Sequence, residues 1–281
     1  HSKEIDKIIA NDLKNKRVEL PIVVNPFIFV RRAYIDIAGR VPTYEEWKAF
    51  IKRPDRKKLI DDLQNSKGYT ESMFNFYADL LRIKRRLSNN IDGDTYITWV
   101  KQEIENNTPY DEFIKKILTA EGNIWENPEV GYFLRDEGML LDNVSNTFQA
   151  FAGMNISCAQ CHDHPFDDWT QMDYYNMTAF FTQLNTRGKK EDRKEFQRLR
   201  KEAEELDKSG KQKGSTNRIG QFYRHGYQHT IVQEQDKKLK LPDDYSYRDA
   251  EPGEIVKAET AVGDRVKERR KREGLRVSFA N

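Results

Sequence analysis

The chain contains only two cysteines in 281 residues, Cys158 and Cys161, and they stand three positions apart. A framework of disulfides between distant parts of the chain is therefore excluded. A chain of this length can bury a substantial core, so apolar packing and hydrogen bonds must hold the fold. Because the two thiols are so close in sequence, we expect them to serve one site together.

Apolar periodicity through the first two thirds of the chain predicts consecutive helices. Residues 3–13 place Ile5, Ile8, Ile9 and Leu13 on one stripe. Asn25-Pro26 is typical of a helix start, and Thr43-Tyr44-Glu45-Glu46 has the pattern of a capping box. Further helices are predicted near residues 55–65, 70–87, 94–106, 109–119, 140–151 and 168–184.

The composition changes after Leu184. Charged residues dominate 187–217, and a narrow apolar seam at helical spacing predicts a charged helix there. The helix either lies on its own domain or docks a partner. The seam consists of Phe196, Leu199, Ala203 and Leu206. Residues 218–262 are rich in β-branched and aromatic types between Gly and Pro, which predicts a small antiparallel β element. We therefore expect a mainly α fold, with a helical domain over 1–186, the charged insert, the β element and a basic linker over 263–281.

The segment Cys158-Ala159-Gln160-Cys161-His162 has the C-x-x-C-H pattern of covalent haem attachment. Residues i, i+3 and i+4 of a helical turn share one face, so both sulfurs reach the two vinyl groups of one porphyrin. The imidazole of His162 then points at the iron from the same side. The spacing predicts one covalently bound haem c with His162 as an axial ligand.

Three other interpretations of the motif stay open. A C-x-x-C pair also serves as a dithiol redox site, although that site usually follows a strand in a βαβ unit, which is not predicted here. Cys158, Cys161, His162 and His164 are also a possible set of ligands for zinc or iron, but so compact a set strains tetrahedral geometry. The third interpretation is a pair of thiols with no cofactor.

The sequence leaves the sixth ligand of a haem iron undecided. Methionine thioether, a second imidazole and an open position are all compatible with the pattern, and the candidates are Met154, Met172, Met177, His164, His225 and His229. His164 stands only two residues from His162 and does not easily reach the opposite haem face. Three aspartates lie close to the motif in sequence: Asp163, Asp167 and Asp168. They either tune His162 or cap the next helix, and we favour capping by Asp167 or Asp168.

Charge and hydropathy exclude several classes of function. The 48 basic and 46 acidic residues nearly cancel, so nucleic acid is not an expected partner. No apolar run reaches the roughly 18–20 residues that span a bilayer. The abrupt start at His1 suits a trimmed chain, so the missing signal peptide does not predict a cytoplasmic protein. Signatures of nucleotide-binding loops and of serine or zinc hydrolases are not found.

The stretch from Cys158 to Phe181 resembles the second type of planctomycete cytochrome C domain, as do Phe29–Thr43 and Asn107–Phe113. Together these blocks cover roughly residues 3–184. The resemblance implies a periplasmic or secreted helical domain with haem at Cys158, Cys161 and His162, usually followed by a planctomycete-specific C-terminal domain. Leu275–Asn281 resemble the first residues of that domain. The chain departs from the family pattern at Ala120-Glu121-Gly122-Asn123.

Three functional hypotheses follow, and they do not settle whether the chain is an enzyme. The favoured one is a haem c module that transfers single electrons for a redox partner protein or for the following domain. The second is a haem enzyme of peroxidase type, which needs an open iron position. The third is a scaffold or interaction module whose Cys-His turn is structural or binds another metal.

Overall fold

The computed structural model describes residues 2–19, 22–87, 91–136, 138–186, 190–223, 230–259 and 279. The chain divides into two compact units, residues 1–73 and 74–281. Helices dominate both units, and the second also contains a small three-stranded antiparallel sheet. The predicted fold class is therefore confirmed.

The first unit is helical and has its own small core. Its helices are α1 (Ser2–Asn15), α2 (Pro26–Ala38), α3 (Tyr44–Lys52), α4 (Arg56–Gln64) and the first part of α5 (Lys67–Leu80). Helix α2 contributes most of the buried side chains, which pack against one residue each from α3 and α4; the set is Val30, Ala33, Tyr34, Ala38, Phe50 and Leu63. The predicted helix over 3–13 is confirmed, but Ile5, Ile8 and Ile9 are exposed.

Local side-chain chemistry explains where α2 and α3 begin. The Asn25 side chain accepts a hydrogen bond from the Ile28 amide at 2.9 Å, and Pro26 occupies the first turn of α2. Helix α2 ends at Gly39, whose φ of 66° is a conformation that favours glycine. The Thr43 hydroxyl accepts from the Glu46 amide while the Glu46 carboxylate accepts from the Thr43 amide, so the predicted capping box is confirmed.

The second unit is larger. Its helices, after the end of α5, are α6 (Asp94–Glu105), α7 (Tyr110–Thr119), α8 (Gly131–Leu134), α9 (Leu140–Ala152), α10 (Gln171–Thr178), α11 (Lys190–Lys208) and α12 (Ser215–Tyr223). Short 3₁₀-helices cover Pro128–Val130, Ser157–Gln160 and Ala179–Phe181. The core is rich in aromatic residues, and its largest fully buried rings are Tyr96, Tyr132, Phe133, Tyr174, Phe180 and Phe181.

The sheet joins parts of the second unit that are far apart in sequence. Strand β3 (Ile231–Glu234) lies between β1 (Gly122–Asn123) and β2 (Leu184–Asn185), and both pairings are antiparallel. Val232 stands opposite Gly122 and is fully buried. The predicted β element near the C-terminus is therefore present, but its partner strands lie earlier in the chain.

The segment that follows β3 also belongs to the core. Leu241, Tyr245 and Val256 are buried in the same cluster as the helices of this unit. Two backbone hydrogen bonds close the segment, from the Leu241 amide to the Glu254 carbonyl at 2.9 Å and from the Val256 amide to the Leu239 carbonyl at 3.0 Å. Residues beyond the charged insert therefore complete the second unit.

Two predicted helices differ from the structure. The predicted helix over 168–184 is shorter, because α10 covers Gln171–Thr178 and the chain then tightens into a 3₁₀ turn before β2. The charged stretch predicted as one helix forms α11, and α12 folds back against it. The apolar seam explains this pairing, since Ala203 is buried and the ring of Phe196 stacks on that of Tyr223 with centroids 4.0 Å apart.

None of the described helices is both long enough and apolar enough to cross a bilayer.

The position of β3 predicts the effect of Val232→Ala. Removing two methyl groups from a fully buried site is expected to lower the free energy of unfolding by about 2 kcal/mol. The amide of Ile124, which donates to the Thr230 carbonyl at 2.8 Å, reports this loss through native-state hydrogen exchange. The control Val23→Ala lies at a site that is 79% exposed and should change stability by less than about 0.5 kcal/mol. Equal effects of the two variants would contradict the placement of β3 in the core.

The capping box predicts an acid-sensitive first unit. The Arg40 guanidinium donates to both Glu46 carboxylate oxygens, at 2.8 and 2.7 Å, and lowers the pKa of Glu46 to about 2. A carboxylate with a depressed pKa stabilises the fold above its unfolded pKa, and this contribution is lost as pH falls from about 4.5 to about 2. Thermal unfolding at pH 6 and pH 2 should therefore show a smaller acid destabilisation in Glu46→Gln than in the wild type. The neighbouring exposed variant Glu45→Gln should match the wild type, and a Glu46→Gln variant with undiminished acid sensitivity would refute the assignment.

Candidate functional site

The two cysteines lie on the short 3₁₀-helix Ser157–Gln160 and at its end. Ala159, between them, is fully buried, whereas Cys158 and Cys161 are exposed free thiols. The Cys161 amide donates to the Cys158 carbonyl at 3.4 Å, which closes the turn. The chain therefore anchors this turn by its alanine and presents both sulfurs to solvent.

The end of α9 directs the chain into this turn. Gly153 follows α9 with a φ of 67°, and the Met154 amide donates back to the Phe148 carbonyl at 3.1 Å. Ile156, three residues after the glycine, is fully buried. The reversal at Gly153 and the burial of Ile156 fix where the cysteine turn begins.

The imidazole of His162 has a defined hydrogen-bond partner although the residue is exposed. Its Nδ1 lies 2.7 Å from the backbone carbonyl oxygen of Asp163. A carbonyl oxygen only accepts, so Nδ1 donates in this bond, and in the neutral imidazole Nε2 then keeps its lone pair. Metal-binding histidines usually hold their second ring nitrogen in this way.

Asp163 connects the motif to two other parts of the unit. Its carboxylate Oδ1 accepts from the Gln171 amide at 2.9 Å, at the first residue of α10. Its own amide donates to the Tyr247 hydroxyl oxygen at 2.8 Å. Its carbonyl accepts from His162. Asp163 is therefore held through its side chain and its amide while its carbonyl orients the imidazole.

Further hydrogen bonds hold the loop on either side of Asp163. The His164 amide, which shares a peptide unit with the Asp163 carbonyl, donates to the Trp169 carbonyl at 2.7 Å. The Gln171 side-chain amide donates to the Gln160 carbonyl at 3.0 Å. Both bonds link the motif to the residues that lead into α10.

The predicted cap of the helix after the motif was wrong. Thr170, not Asp167 or Asp168, is the N-cap, because Thr170 and Asp173 form a reciprocal capping box with two bonds of 3.0 Å. The Asp167 carboxylate instead accepts from the Asp168 amide at 2.9 Å. Asp163 combines the two roles considered for the aspartates, since its carboxylate binds the amide of Gln171 and its carbonyl binds His162.

The candidate sixth ligands occupy different environments. Met177 is buried in the core, whereas Met154 and Met172 are half-buried and pack against the same cluster. The Nδ1 atom of His164 lies 3.3 Å from the Phe166 amide, which donates to it. His225 and His229 lie outside the described residues.

Cys158, Cys161, His162 and His164 do not form a metal cluster in the structure. In the described ranges, no three His, Cys, Asp or Glu side chains come together in a way that would hold a metal ion. The interpretation as a zinc or iron site with four protein ligands thus gains no support from the geometry.

Aromatic residues border the site, and two of them come from the segment after β3. Burial raises the pKa of Tyr175 in α10, and the nearby Cys161 thiol adds to this shift. The Tyr245 hydroxyl donates to Asp249 at 2.8 Å, and burial followed by this bond raises the pKa of Tyr245. The ring of Tyr247 lies 5.6 Å from that of Tyr245. In contrast, Phe166 is 93% exposed.

Sequence reasoning did not identify Tyr247 or Gln171 as parts of the site. Gln171 follows a Thr-x-x-Asp box, so recognising Thr170 as the cap would have placed it at the first helical position. Tyr247 is 84 residues from Asp163, and no local pattern indicates that the two residues meet.

Comparison with known proteins gives one family. Residues 4–186 match the model of a family described as PSCyt2, Protein of unknown function (DUF1549). The match contains the cysteine turn, His162 and Asp163, whereas Tyr247 lies outside it. No curated protein and no solved structure matches the chain.

The exposure of the two sulfurs predicts rapid modification in the chain without a bound cofactor. A small maleimide should add to both thiols of the folded chain at rates close to those of the denatured chain, giving two adducts by mass spectrometry. Cys158→Ser and Cys161→Ser should each give one adduct. Labelling that begins only in denaturant would contradict the outward orientation of the turn.

Proposed function

This chain belongs to the PSCyt2 family of unknown function, and from that premise we propose that it is a covalent haem c module that transfers single electrons. The partner is a redox protein or the domain that usually follows in this family. The proposal includes a periplasmic or secreted location, as the resemblance to the planctomycete cytochrome domains implies.

The hydrogen bond from His162 Nδ1 to the Asp163 carbonyl, at 2.7 Å, is the observation that carries the proposal. It leaves the Nε2 lone pair available to a metal, and it fixes the plane of the ring. The two exposed thiols on the adjoining turn supply the other contacts that a covalent haem requires.

The chemistry of these side chains fits haem attachment. On attachment, each thiol would add across one vinyl double bond, with sulfur bonding to one carbon and the thiol hydrogen going to the other. Neither step consumes an oxidant or a reductant. Exposed thiols permit this addition, and the buried Ala159 holds the turn in place meanwhile.

The residues around the turn would set the properties of the bound group. Haem supplies a one-electron couple whose potential depends on axial ligands, burial and hydrogen bonds. When haem is bound, His162 would hold the iron, and the Asp163 carbonyl would keep its imidazole oriented. Met154 and Met172 are the half-buried thioethers among the candidates for the opposite position.

Expression of the full chain in a host competent for c-type maturation tests the proposal. The expected product has a reduced-minus-oxidised visible spectrum of c type, a positive pyridine haemochrome assay and an intact mass increased by one haem. The haem should remain on the chain in denaturing electrophoresis, because two thioether bonds hold it.

Variants separate the attachment residues from their neighbours. The double variant Cys158→Ser, Cys161→Ser should lose covalent haem entirely. His164→Asn is the matched control, since the asparagine amide oxygen replaces Nδ1 as the acceptor for the Phe166 amide, and this variant should retain haem.

A folded wild-type chain that emerges colourless from a competent host would refute the proposal. Haem that binds carbon monoxide with full occupancy upon reduction would favour the peroxidase-type hypothesis over electron transfer.

A further inference from the structure

We propose that Tyr247 is a positioning residue for His162. Its hydroxyl holds the backbone of Asp163, and the Asp163 carbonyl in turn keeps the imidazole in the tautomer with the proton on Nδ1. The claim that this arrangement serves metal binding rests on the proposed function. The claim about the tautomer of His162 concerns the chain without haem and can be tested on it.

The contacts form a short chain of hydrogen bonds. The Asp163 amide donates to Tyr247 Oη at 2.8 Å, and His162 Nδ1 donates to the Asp163 carbonyl at 2.7 Å. Asp163 itself is exposed, so packing does not fix its backbone. Its orientation therefore depends on hydrogen bonds, which include those from the Gln171 amide to its carboxylate and from the His164 amide to the Trp169 carbonyl. Among the described residues, Tyr247 is the one from outside the loop and α10 whose side chain bonds to Asp163.

Tyr247 is suited to this role because its own segment is anchored. It is half-buried against the core of the second unit, next to Tyr245, which is only 5% exposed. The backbone bond between Leu241 and Glu254 closes the same segment. A fixed phenol can impose its position on a solvent-exposed loop.

Loss of the hydroxyl has a specific consequence for His162. Without an acceptor, the Asp163 amide turns toward water, and the bond from Nδ1 to the carbonyl loosens. A neutral imidazole freed from that bond also populates the tautomer with the proton on Nε2. In that tautomer Nε2 has no lone pair for a metal.

This assignment extends the site beyond the range that the family model matches. The cysteines, His162 and Asp163 lie within residues 4–186, whereas Tyr247 reaches them from the segment after β3. The part of the chain that binds the proposed cofactor is thus positioned by a part outside the matched range.

Nitrogen NMR of the haem-free full chain, labelled with ¹⁵N histidine, tests the inference at about pH 8.5, some two units above the ordinary imidazole pKa. In the wild type, His162 should be mainly the tautomer protonated on Nδ1. In Tyr247→Phe, the tautomer protonated on Nε2 should become the major form. Tyr245→Phe removes a hydroxyl from the same segment without touching Asp163 and should keep the wild-type tautomer. An unchanged tautomer in a folded Tyr247→Phe chain would overturn the inference.

A second measurement needs no variant. The Asp163 amide should exchange with solvent at least tenfold more slowly than an unprotected amide, although the residue is exposed. Exchange at the unprotected rate would show that Tyr247 does not hold it. This result stands even if Tyr247→Phe does not fold.

The haem-loaded chain gives an independent readout. If the proposed function is correct, Tyr247→Phe should keep covalent haem but loosen the hydrogen bond that orients the His162 imidazole, and this should change the midpoint potential. Tyr245→Phe should keep the wild-type potential. A wild-type chain that takes up no haem refutes the proposed function and leaves the tautomer result intact. A haem-loaded Tyr247→Phe chain with unchanged potential and tautomer refutes only the role of Tyr247.

Discussion

The insertion of β3 between β1 and β2 is the constraint on which the second unit depends. These strands are only two to four residues long, so their ladder alone contributes little stability. Burial of Val232 in the centre, together with Leu241, Tyr245 and Val256 beyond it, provides the apolar contribution that closes the core. Without β3, residues 122–123 and 184–185 have no described strand partner. The helices of the second unit and the segment that follows α11 and α12 therefore share one core.

This closure also brings together the residues that form hydrogen bonds beside the cysteine turn. A 3₁₀ turn anchored by Ala159 presents two sulfurs to solvent, but it does not by itself orient the imidazole that follows. That orientation comes from the Asp163 carbonyl, and Asp163 is held by the amide of Gln171 and the hydroxyl of Tyr247. Tyr247 is in reach only because β3 has returned the chain to the helices. The exposed motif is thus supported by the buried Gln171 nearby and by the half-buried Tyr247 from a distant part of the chain.

The sequence predicted what local physics determines. Asn25-Pro26, the Thr43 capping box and the helical turn at the cysteines each follow from interactions within four residues, and the structure contains all three. The contacts between residues far apart in sequence were not predicted. The stripe of α1 indicated a helix but not its exposure, and the seam of α11 did not reveal that Tyr223 would stack on Phe196. The cap of α10 was misassigned because several acidic residues precede Thr170 and each is a plausible cap on its own. The hydrogen bond between Asp163 and Tyr247 joins residues 84 positions apart, and no periodic pattern in the sequence indicates it.

The central claim is that His162, held through its Nδ1, ligates an iron bound at the cysteine turn. X-ray absorption at the iron edge of the full chain, purified from a host competent for c-type maturation, tests it most directly. The account predicts one iron per chain, surrounded by four porphyrin nitrogens and at least one imidazole nitrogen, and one imidazole nitrogen fewer in His162→Gly. A chain without iron, or with a metal bound by sulfur ligands in a tetrahedral site, would contradict the account.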